Sequence, residues 1–263
     1  MPFANHDGVR IYYEVEGAGT PLLLVHGMGN SHLEYRLNGY VEPLAKEHLV
    51  IAVDVRGHGQ SDKPHAPEVY TPELIAGDLV QILDDLGLAT VHYWGYSMGT
   101  RVGWLAMVPH AGARLRSLIF GGGPRAADPG AAGAASPTLS TWARIAELGM
   151  EQGIALLEER WGPYPPDQRA AQLANDPVAI YAAVRGFNTW PAAPVAWAAW
   201  TRPALIYAGD KDPVHDQAQA VAASLPRGRF VSYPGLDHIQ AVRRSDLVLP
   251  VATAFLREVD AAG

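Results

Sequence analysis

The chain has 263 residues, of which 48% are hydrophobic and 18% are charged, and it contains no cysteine. This length and composition are typical of a globular protein with one large core. The formal net charge of −7 lacks the basic excess that phosphate binding requires, so we expect no nucleic-acid partner. The absence of cysteine excludes disulfides and thiol catalysis, and no run of about 18 apolar residues predicts a membrane span.

The amino terminus has no charged start followed by an apolar core, so no secretory signal is predicted. Together with the absence of cysteine, this favours a cytoplasmic location. The histidines lack the spacing of a zinc-binding helix, so we expect no metal and no cofactor. The sequence makes no prediction of the oligomeric state.

Apolar runs and helical patterns alternate along the first half of the chain. Residues 9–16 alternate like a half-exposed strand, and continuous apolar runs predict buried strands at 22–25, 49–53, 91–94 and 115–120. Between the third and fourth of these strands, a Thr-Pro pair predicts a helix start and a glycine at position 87 predicts its end. A second helix is predicted after Ser97, ending near Pro109. This alternation predicts an α/β fold with a mostly parallel sheet covered on both faces.

The alternation stops between residues 124 and 201. This segment contains five of the seven tryptophans and is rich in alanine, proline and glycine. Helices are predicted at 141–148 and 153–161, and residues 126–137, which include no large side chain, predict a mobile hinge. The tryptophans either line a substrate pocket or attach this segment to the main core, and the sequence leaves both readings open.

Strands resume after this segment. Apolar runs predict strands at 204–207 and 230–233, followed by a closing amphipathic helix over 247–259. We therefore interpret residues 124–201 as a helical cap inserted into a core domain formed by residues 1–123 and 202–263.

Ser97 is the leading candidate for a reactive side chain. It lies at the centre of a Gly-Tyr-Ser-Met-Gly motif, between a predicted strand and a predicted helix. In that context the serine lies on a strained turn, and side chains at positions 95 and 99 would collide, which explains the two glycines. A serine hydroxyl is a poor nucleophile alone and needs a base, a group that orients the base, and donors for the developing oxyanion.

Five motifs follow predicted strand ends, and together they span nearly the whole chain. They are HGMG at 26–29, DVRGHGQS at 54–61, GYSMG at 95–99, GDKD at 209–212 and PGLDH at 234–238. In this order they resemble the α/β-hydrolase superfamily, in particular its serine esterases and lactonases. The resemblance implies an α/β-hydrolase fold, with a mostly parallel eight-stranded sheet flanked by helices and a small helical cap inserted after strand six.

The resemblance also implies a catalytic triad. Carried onto the matching positions, it makes Ser97 the nucleophile, His238 the general base and acid, and Asp212 the carboxylate that holds the imidazole. Asp210 and Asp237 remain alternatives for the acid. Asp237 is the less favoured of the two, because side chains of adjacent residues on an extended loop point to opposite sides.

Two backbone N–H groups are expected to form an oxyanion hole. One belongs to Met98, at the N-terminus of the helix after Ser97, where the helix dipole favours negative charge. By resemblance the other belongs to Met28, which follows the His-Gly pair. His26 and residues 54–61 are expected to support this loop rather than to react.

The predicted function is hydrolysis of carboxylic esters or lactones through an acyl-enzyme intermediate. The cap has few charged residues to bind an acidic substrate, so we expect a small, neutral and apolar substrate. Two alternatives stay open: a relative with the same triad and other chemistry, such as a carbon–carbon bond hydrolase or a cofactor-free perhydrolase, or a hydrolase-fold ligand receptor with little turnover. A serine at the nucleophile position disfavours haloalkane dehalogenases and epoxide hydrolases, which use a carboxylate. The HGMG loop lacks the Gly-Gly-Pro sequence of proline iminopeptidases, which disfavours a peptidase function.

Overall fold

The computed structural model describes residues 3–124, 137–190 and 196–262. The strands of its sheet are β1 (Phe3–His6), β2 (Val9–Glu16), β3 (Thr20–Val25), β4 (His48–Val53), β5 (Val91–Tyr96), β6 (Leu115–Gly121), β7 (Ala204–Gly209) and β8 (Gly228–Tyr233). They form one eight-stranded sheet in the order β1-β2-β4-β3-β5-β6-β7-β8. Strands β3 to β8 pair in parallel, whereas β2 pairs antiparallel with β1 and β4. The predicted mostly parallel sheet is therefore confirmed.

Helices cover both faces of the sheet. They are α1 (Leu33–Leu37), α2 (Val41–Leu44), α3 (Pro72–Asp85), α4 (Met98–Val102), α5 (Val108–Ala111), α6 (Pro137–Leu148), α7 (Met150–Trp161), α8 (Pro166–Leu173), α9 (Pro177–Asn188), α10 (His215–Ser224), α11 (His238–Val242) and α12 (Ser245–Ala261). A π-helical turn (Gly103–Met107) joins α4 to α5. Within the three described ranges, no helix is long and apolar enough to cross a membrane.

The central strands are apolar on both faces, so alternate side chains enter different cores. Leu23 of β3 packs in the cluster that contains Leu79 of α3. Its neighbour Leu22 packs on the opposite face, in the cluster that contains Phe255 of α12. This two-residue alternation explains why buried parallel strands appear as continuous apolar runs. The sheet is thereby packed between two helical layers.

All seven strands located by pattern are present. Helix α3 begins as predicted, because the Oγ1 of Thr71 accepts a hydrogen bond from the backbone N–H of Leu74 at 3.3 Å. The helical segment after Ser97, predicted to end near Pro109, ends two residues later at Ala111. Proline has no backbone N–H to donate to the carbonyl four residues earlier, as a regular α-helix requires. For Pro109 that carbonyl belongs to Leu105, which lies in the wider π-helical turn.

Helices α6 to α9 lie between β6 and β7, where the cap was predicted. They share a small apolar cluster of their own, which includes Ile145 of α6 and Ile180 of α9. The two predicted cap helices are present as α6 and α7, and α8 and α9 are additional. The hinge predicted over residues 126–137 lies, apart from Pro137, outside the described residues.

Candidate active site

Ser97 lies on the sharp turn between β5 and α4. Its φ of +50° is in a region that side chains rarely adopt, so the turn is strained. A Cβ on Gly95 would lie 2.4 Å from the carbonyl carbon of Gly99, and one on Gly99 would lie 2.1 Å from the carbonyl oxygen of Val25. The two glycines therefore let strand and helix approach closely enough for the strained turn to form.

Three side chains from distant parts of the sequence meet at this turn. The Nε2 of His238 is 2.9 Å from the Oγ of Ser97. The Nδ1 of the same ring is 2.6 Å from the Oδ2 of Asp212. An ionised carboxylate only accepts hydrogen bonds, so Nδ1 carries the ring proton and Nε2 is left to accept the proton of the serine hydroxyl.

The three candidate carboxylates make different contacts. Asp212 is buried after β7, and its second oxygen accepts the backbone N–H of Val214 at 3.1 Å. Asp210 instead accepts the N–H of Gly235 at 2.7 Å. Asp237 caps α11, because its Oδ1 accepts two backbone N–H groups of that helix. Of the three, Asp212 is the one that contacts the imidazole.

The backbone around His238 is also fixed. The Tyr96 hydroxyl donates to the carbonyl oxygen of His238, which ties α11 to the end of β5. Gly122, at φ +61°, lies directly beside the ring, and a Cβ there would be 2.8 Å from the imidazole Cε1. The glycines after β6 thus leave space for the imidazole.

The predicted oxyanion loop runs beside the serine. A Cβ on Gly27 would be 3.6 Å from that of Ser97. The Gly27 carbonyl accepts the N–H of Asn30 at 3.1 Å and the Nδ1–H of His26 at 2.8 Å. Because C=O and N–H of one peptide point in opposite directions, these bonds aim the N–H of Met28 away from both donors. Among the described residues, neither this N–H nor that of Met98 has a hydrogen-bond partner.

His26 supports this loop as a neutral ring. Its Nε2 accepts the N–H of Val55 at 3.1 Å, so the proton lies on Nδ1, where it bonds the Gly27 carbonyl. Burial lowers the pKa of His26 to about 4 and that of His58, whose ring lies 5.0 Å away, to about 3. The hydrogen bond from Val55 ties residues 54–61 to the loop through His26.

Two cap tryptophans lie at the site. Trp142 of α6 packs on the oxyanion loop, where a Cβ on Gly29 would lie 2.5 Å from its ring. Trp161, at the end of α7, has its ring centroid 6.0 Å from that of His238. Trp142 therefore lies beside the oxyanion loop and Trp161 beside the imidazole.

The other cap tryptophans attach the segment to the main core. The Trp190 indole donates to the carbonyl of Tyr70 at 2.7 Å, and Trp197 stacks on Trp104 with centroids 3.5 Å apart. Trp200 is buried in the same core cluster. For these three tryptophans, attachment to the main core, one of the two readings that the sequence left open, therefore holds.

Sequence reasoning missed one buried carboxylate at the site. Glu34 of α1 accepts the backbone N–H of Gly27 at 2.8 Å. It also accepts the side-chain amide of Asn30 at 2.5 Å. A single glutamate on a short helix has no sequence pattern that distinguishes it from a solvent-exposed one.

Known proteins are similar to this chain in sequence and in fold. The family profile described as alpha/beta hydrolase fold matches residues 20–144. The chain is 36% identical over 128 residues to putative carbamate hydrolase RutD of Azorhizobium caulinodans, covering 49% of this chain and 46% of that protein. The matched segments span less than half the length of the curated relatives.

Solved structures match over almost the full length. A thermophilic esterase from Thermogutta terrifontis superposes with a TM-score of 0.81 and 26% identity, covering 98% of this chain and 97% of the esterase. An enol-lactonase from Burkholderia xenovorans superposes with a TM-score of 0.80 and 23% identity, covering 97% of this chain and 100% of the lactonase. Residues 20–144 thus match the α/β-hydrolase profile, and the chain as a whole has the α/β-hydrolase fold.

Proposed function

We propose that this protein is a serine hydrolase that cleaves carboxylic esters or lactones through an acyl-enzyme intermediate. The observation that carries the proposal is the continuous contact from Asp212 through His238 to Ser97, at 2.6 Å and 2.9 Å. These are the distances that proton transfer between a nucleophile, a base and its orienting carboxylate requires.

The reaction begins when Ser97 attacks the substrate carbonyl and its proton passes to Nε2 of His238. The negative charge that forms on the carbonyl oxygen is stabilised by the backbone N–H groups of Met28 and Met98, the second at a helix N-terminus. The imidazolium, oriented by Asp212, then protonates the leaving alkoxide. Water activated by His238 hydrolyses the acyl-enzyme by the same steps in reverse order.

The surroundings favour a small, neutral and apolar substrate. Trp142 packs on the oxyanion loop, Trp161 lies beside His238, and Met28 packs between the main core and the cap cluster. Arg160 of the cap is exposed and lies over Trp161, with its Cζ 4.7 Å from the ring centroid. Apolar walls with a few polar groups at the reacting atoms are typical of small-molecule sites.

The experiment is a turnover assay on esters and lactones graded by acyl chain length, with wild-type protein and Ser97→Ala. We expect p-nitrophenyl acetate or butyrate to be hydrolysed and the variant to lose at least a thousandfold in kcat. A matched control is Ser232→Ala, which removes a hydroxyl that bonds His215 instead of His238. A loss below tenfold in Ser97→Ala would assign the nucleophile elsewhere, and a burst without turnover would favour the receptor alternative.

A further inference from the structure

A chain of hydrogen bonds joins the cap to the oxyanion loop. The Nε2 of Gln172, in α8, donates to the Oδ1 of Asn30 at 2.6 Å. The Nδ2 of Asn30 donates to one carboxylate oxygen of Glu34 at 2.5 Å, and the other oxygen accepts the backbone N–H of Gly27 at 2.8 Å. Glu34 is 8% exposed, so its bonds are made largely out of water.

Hydrogen bonds hold the oxyanion loop on both sides of Met28. Glu34 fixes the N–H of Gly27, the residue before it. Asn175, which follows α8, donates its side-chain amide to the carbonyl of Gly29 at 2.6 Å. The N–H of Met28 therefore lies between two anchors, of which Asn175 belongs to the cap and Glu34 bonds the cap through Asn30.

The ionised carboxylate of Glu34 determines how the side-chain amides of Asn30 and Gln172 are oriented. Both Glu34 oxygens accept, so Asn30 must turn its NH₂ group toward Glu34 and its oxygen toward Gln172. A donor at the Glu34 position would face the Asn30 NH₂ group, and turning Asn30 would place that group against the NH₂ of Gln172. A change at Glu34 therefore alters the hydrogen bonds from Glu34 to Asn30 and from Asn30 to Gln172.

We propose that Glu34 is a positioning residue, which holds the oxyanion loop in its working orientation and makes that orientation depend on the seating of cap helix α8. The inference deepens the proposed function and rests on it. Glu34 acts through the backbone of Gly27 and does not touch the reacting atoms.

The electrostatic surroundings of Glu34 support a pH-dependent role. Burial raises the pKa of its carboxyl to about 7, although the bond from Gly27 opposes the shift. The titratable and charged groups near it are the phenol of Tyr35 on its own helix and, from other elements, four phenols and one guanidinium: Tyr40, Tyr96, Tyr164, Tyr207 and Arg243. Protonation of Glu34 below neutral pH places an O–H where the N–H of Gly27 and the amide of Asn30 both require an acceptor.

The test compares Glu34→Gln and Gln172→Leu with wild type. We expect Glu34→Gln to lower kcat by about tenfold to a hundredfold with little change in KM, because oxyanion stabilisation acts in the transition state. The rate of fluorophosphonate labelling of Ser97 should fall by the same factor. Protonation of Glu34 removes its acceptor in the wild type, so the ratio of wild-type to Glu34→Gln kcat should fall as the pH is lowered through about 7.

Gln168→Leu is the matched control for the cap end. Gln168 lies one turn earlier in α8 and donates to Asn38 at 3.0 Å, so it bonds the core without contacting the oxyanion loop. We expect Gln172→Leu to lower kcat by about threefold to tenfold and Gln168→Leu by less than about twofold, at similar melting temperatures. If Glu34→Gln does not fold, the kcat of Gln172→Leu relative to that of Gln168→Leu tests the proposal.

The outcomes separate this inference from the proposed function. Folded wild-type protein that is neither labelled nor active contradicts the proposed function. Labelled, active wild type with the folded variants Glu34→Gln and Gln172→Leu within about twofold of it overturns the role of Glu34. Equal losses in Gln168→Leu and Gln172→Leu also overturn it, because the effect would then be general cap attachment.

Discussion

Asp210 and Asp212 lie two residues apart in one loop and are expected to contribute very differently to turnover. Asp212→Asn offers an NH₂ group or a neutral oxygen to His238 and no longer holds the proton on Nδ1. We expect kcat on p-nitrophenyl butyrate to fall about ten-thousandfold, as when the orienting carboxylate of a triad is neutralised.

Asp210→Asn is the matched control. Its contact is one bond from the N–H of Gly235, which an asparagine oxygen can still accept. We expect less than about a threefold loss, because no partner is left unpaired. If the larger loss fell on Asp210→Asn, the assignment of the acid would be wrong.

At the residue scale, sequence reasoning reaches the residues whose neighbours carry a motif. Ser97, His238 and Asp212 each follow a predicted strand end in a recognisable order, and the structure brings them together. Glu34 could not be found in this way, because its significance comes from burial and from contact with Gly27. Gly122 was visible as a glycine, but its closeness to the imidazole depends on how β6 and α11 meet.

The middle and the C-terminal end of the cap segment have different roles, which substitutions of two tryptophans can separate. Trp161 ends α7 beside the imidazole, whereas Trp197 stacks on Trp104 in the main core. We expect Trp161→Ala to raise KM for a butyrate ester about tenfold with a small change in melting temperature, because it removes an apolar substrate contact. Trp197→Ala should instead lower the free energy of unfolding by about 2 kcal/mol and leave KM unchanged.

Steady-state kinetics and thermal unfolding of the two variants check this division. A KM change in Trp197→Ala that equals the change in Trp161→Ala would mean that both act by loosening the cap. An unchanged KM in Trp161→Ala would remove this ring from the substrate site.

At the element scale, some missed features carried a usable signal and others did not. Helix α9 begins with Asp176 and Pro177, and Asp176 accepts two backbone N–H groups at 2.9 Å and 3.1 Å. This is the same start signal that located α3 from Thr71, so α9 was predictable. Strand β1 has four residues and no apolar alternation, and only its pairing with β2 makes it a strand.

The whole molecule is expected to lose stability in acid. The pKa of buried His26 is lowered to about 4 and that of His58 to about 3, below their ordinary value of 6.5. As pH falls below 6.5, the unfolded chain gains protons that the folded chain does not bind, so the free energy of unfolding falls with pH down to about 4. Glu34 acts in the opposite sense, because its raised pKa lets the folded protein take up a proton first, near pH 7.

Together these three groups give a net fall of about 3 kcal/mol between pH 7 and pH 4. Denaturant unfolding across this range measures it. Glu34→Gln should steepen the fall, since it removes the opposing group. A stability that is flat or rises toward pH 4 would contradict the neutral, buried state of the two histidines.

The central claim is that Ser97 becomes acylated during turnover. The most direct measurement is acid quenching of the protein during hydrolysis of p-nitrophenyl butyrate, followed by intact mass and peptide mapping. We expect one butyryl group on the peptide that contains Ser97, absent from Ser97→Ala and accumulating when deacylation is slowed. Turnover with no acyl adduct on that peptide, or with the adduct on another residue, would contradict the account.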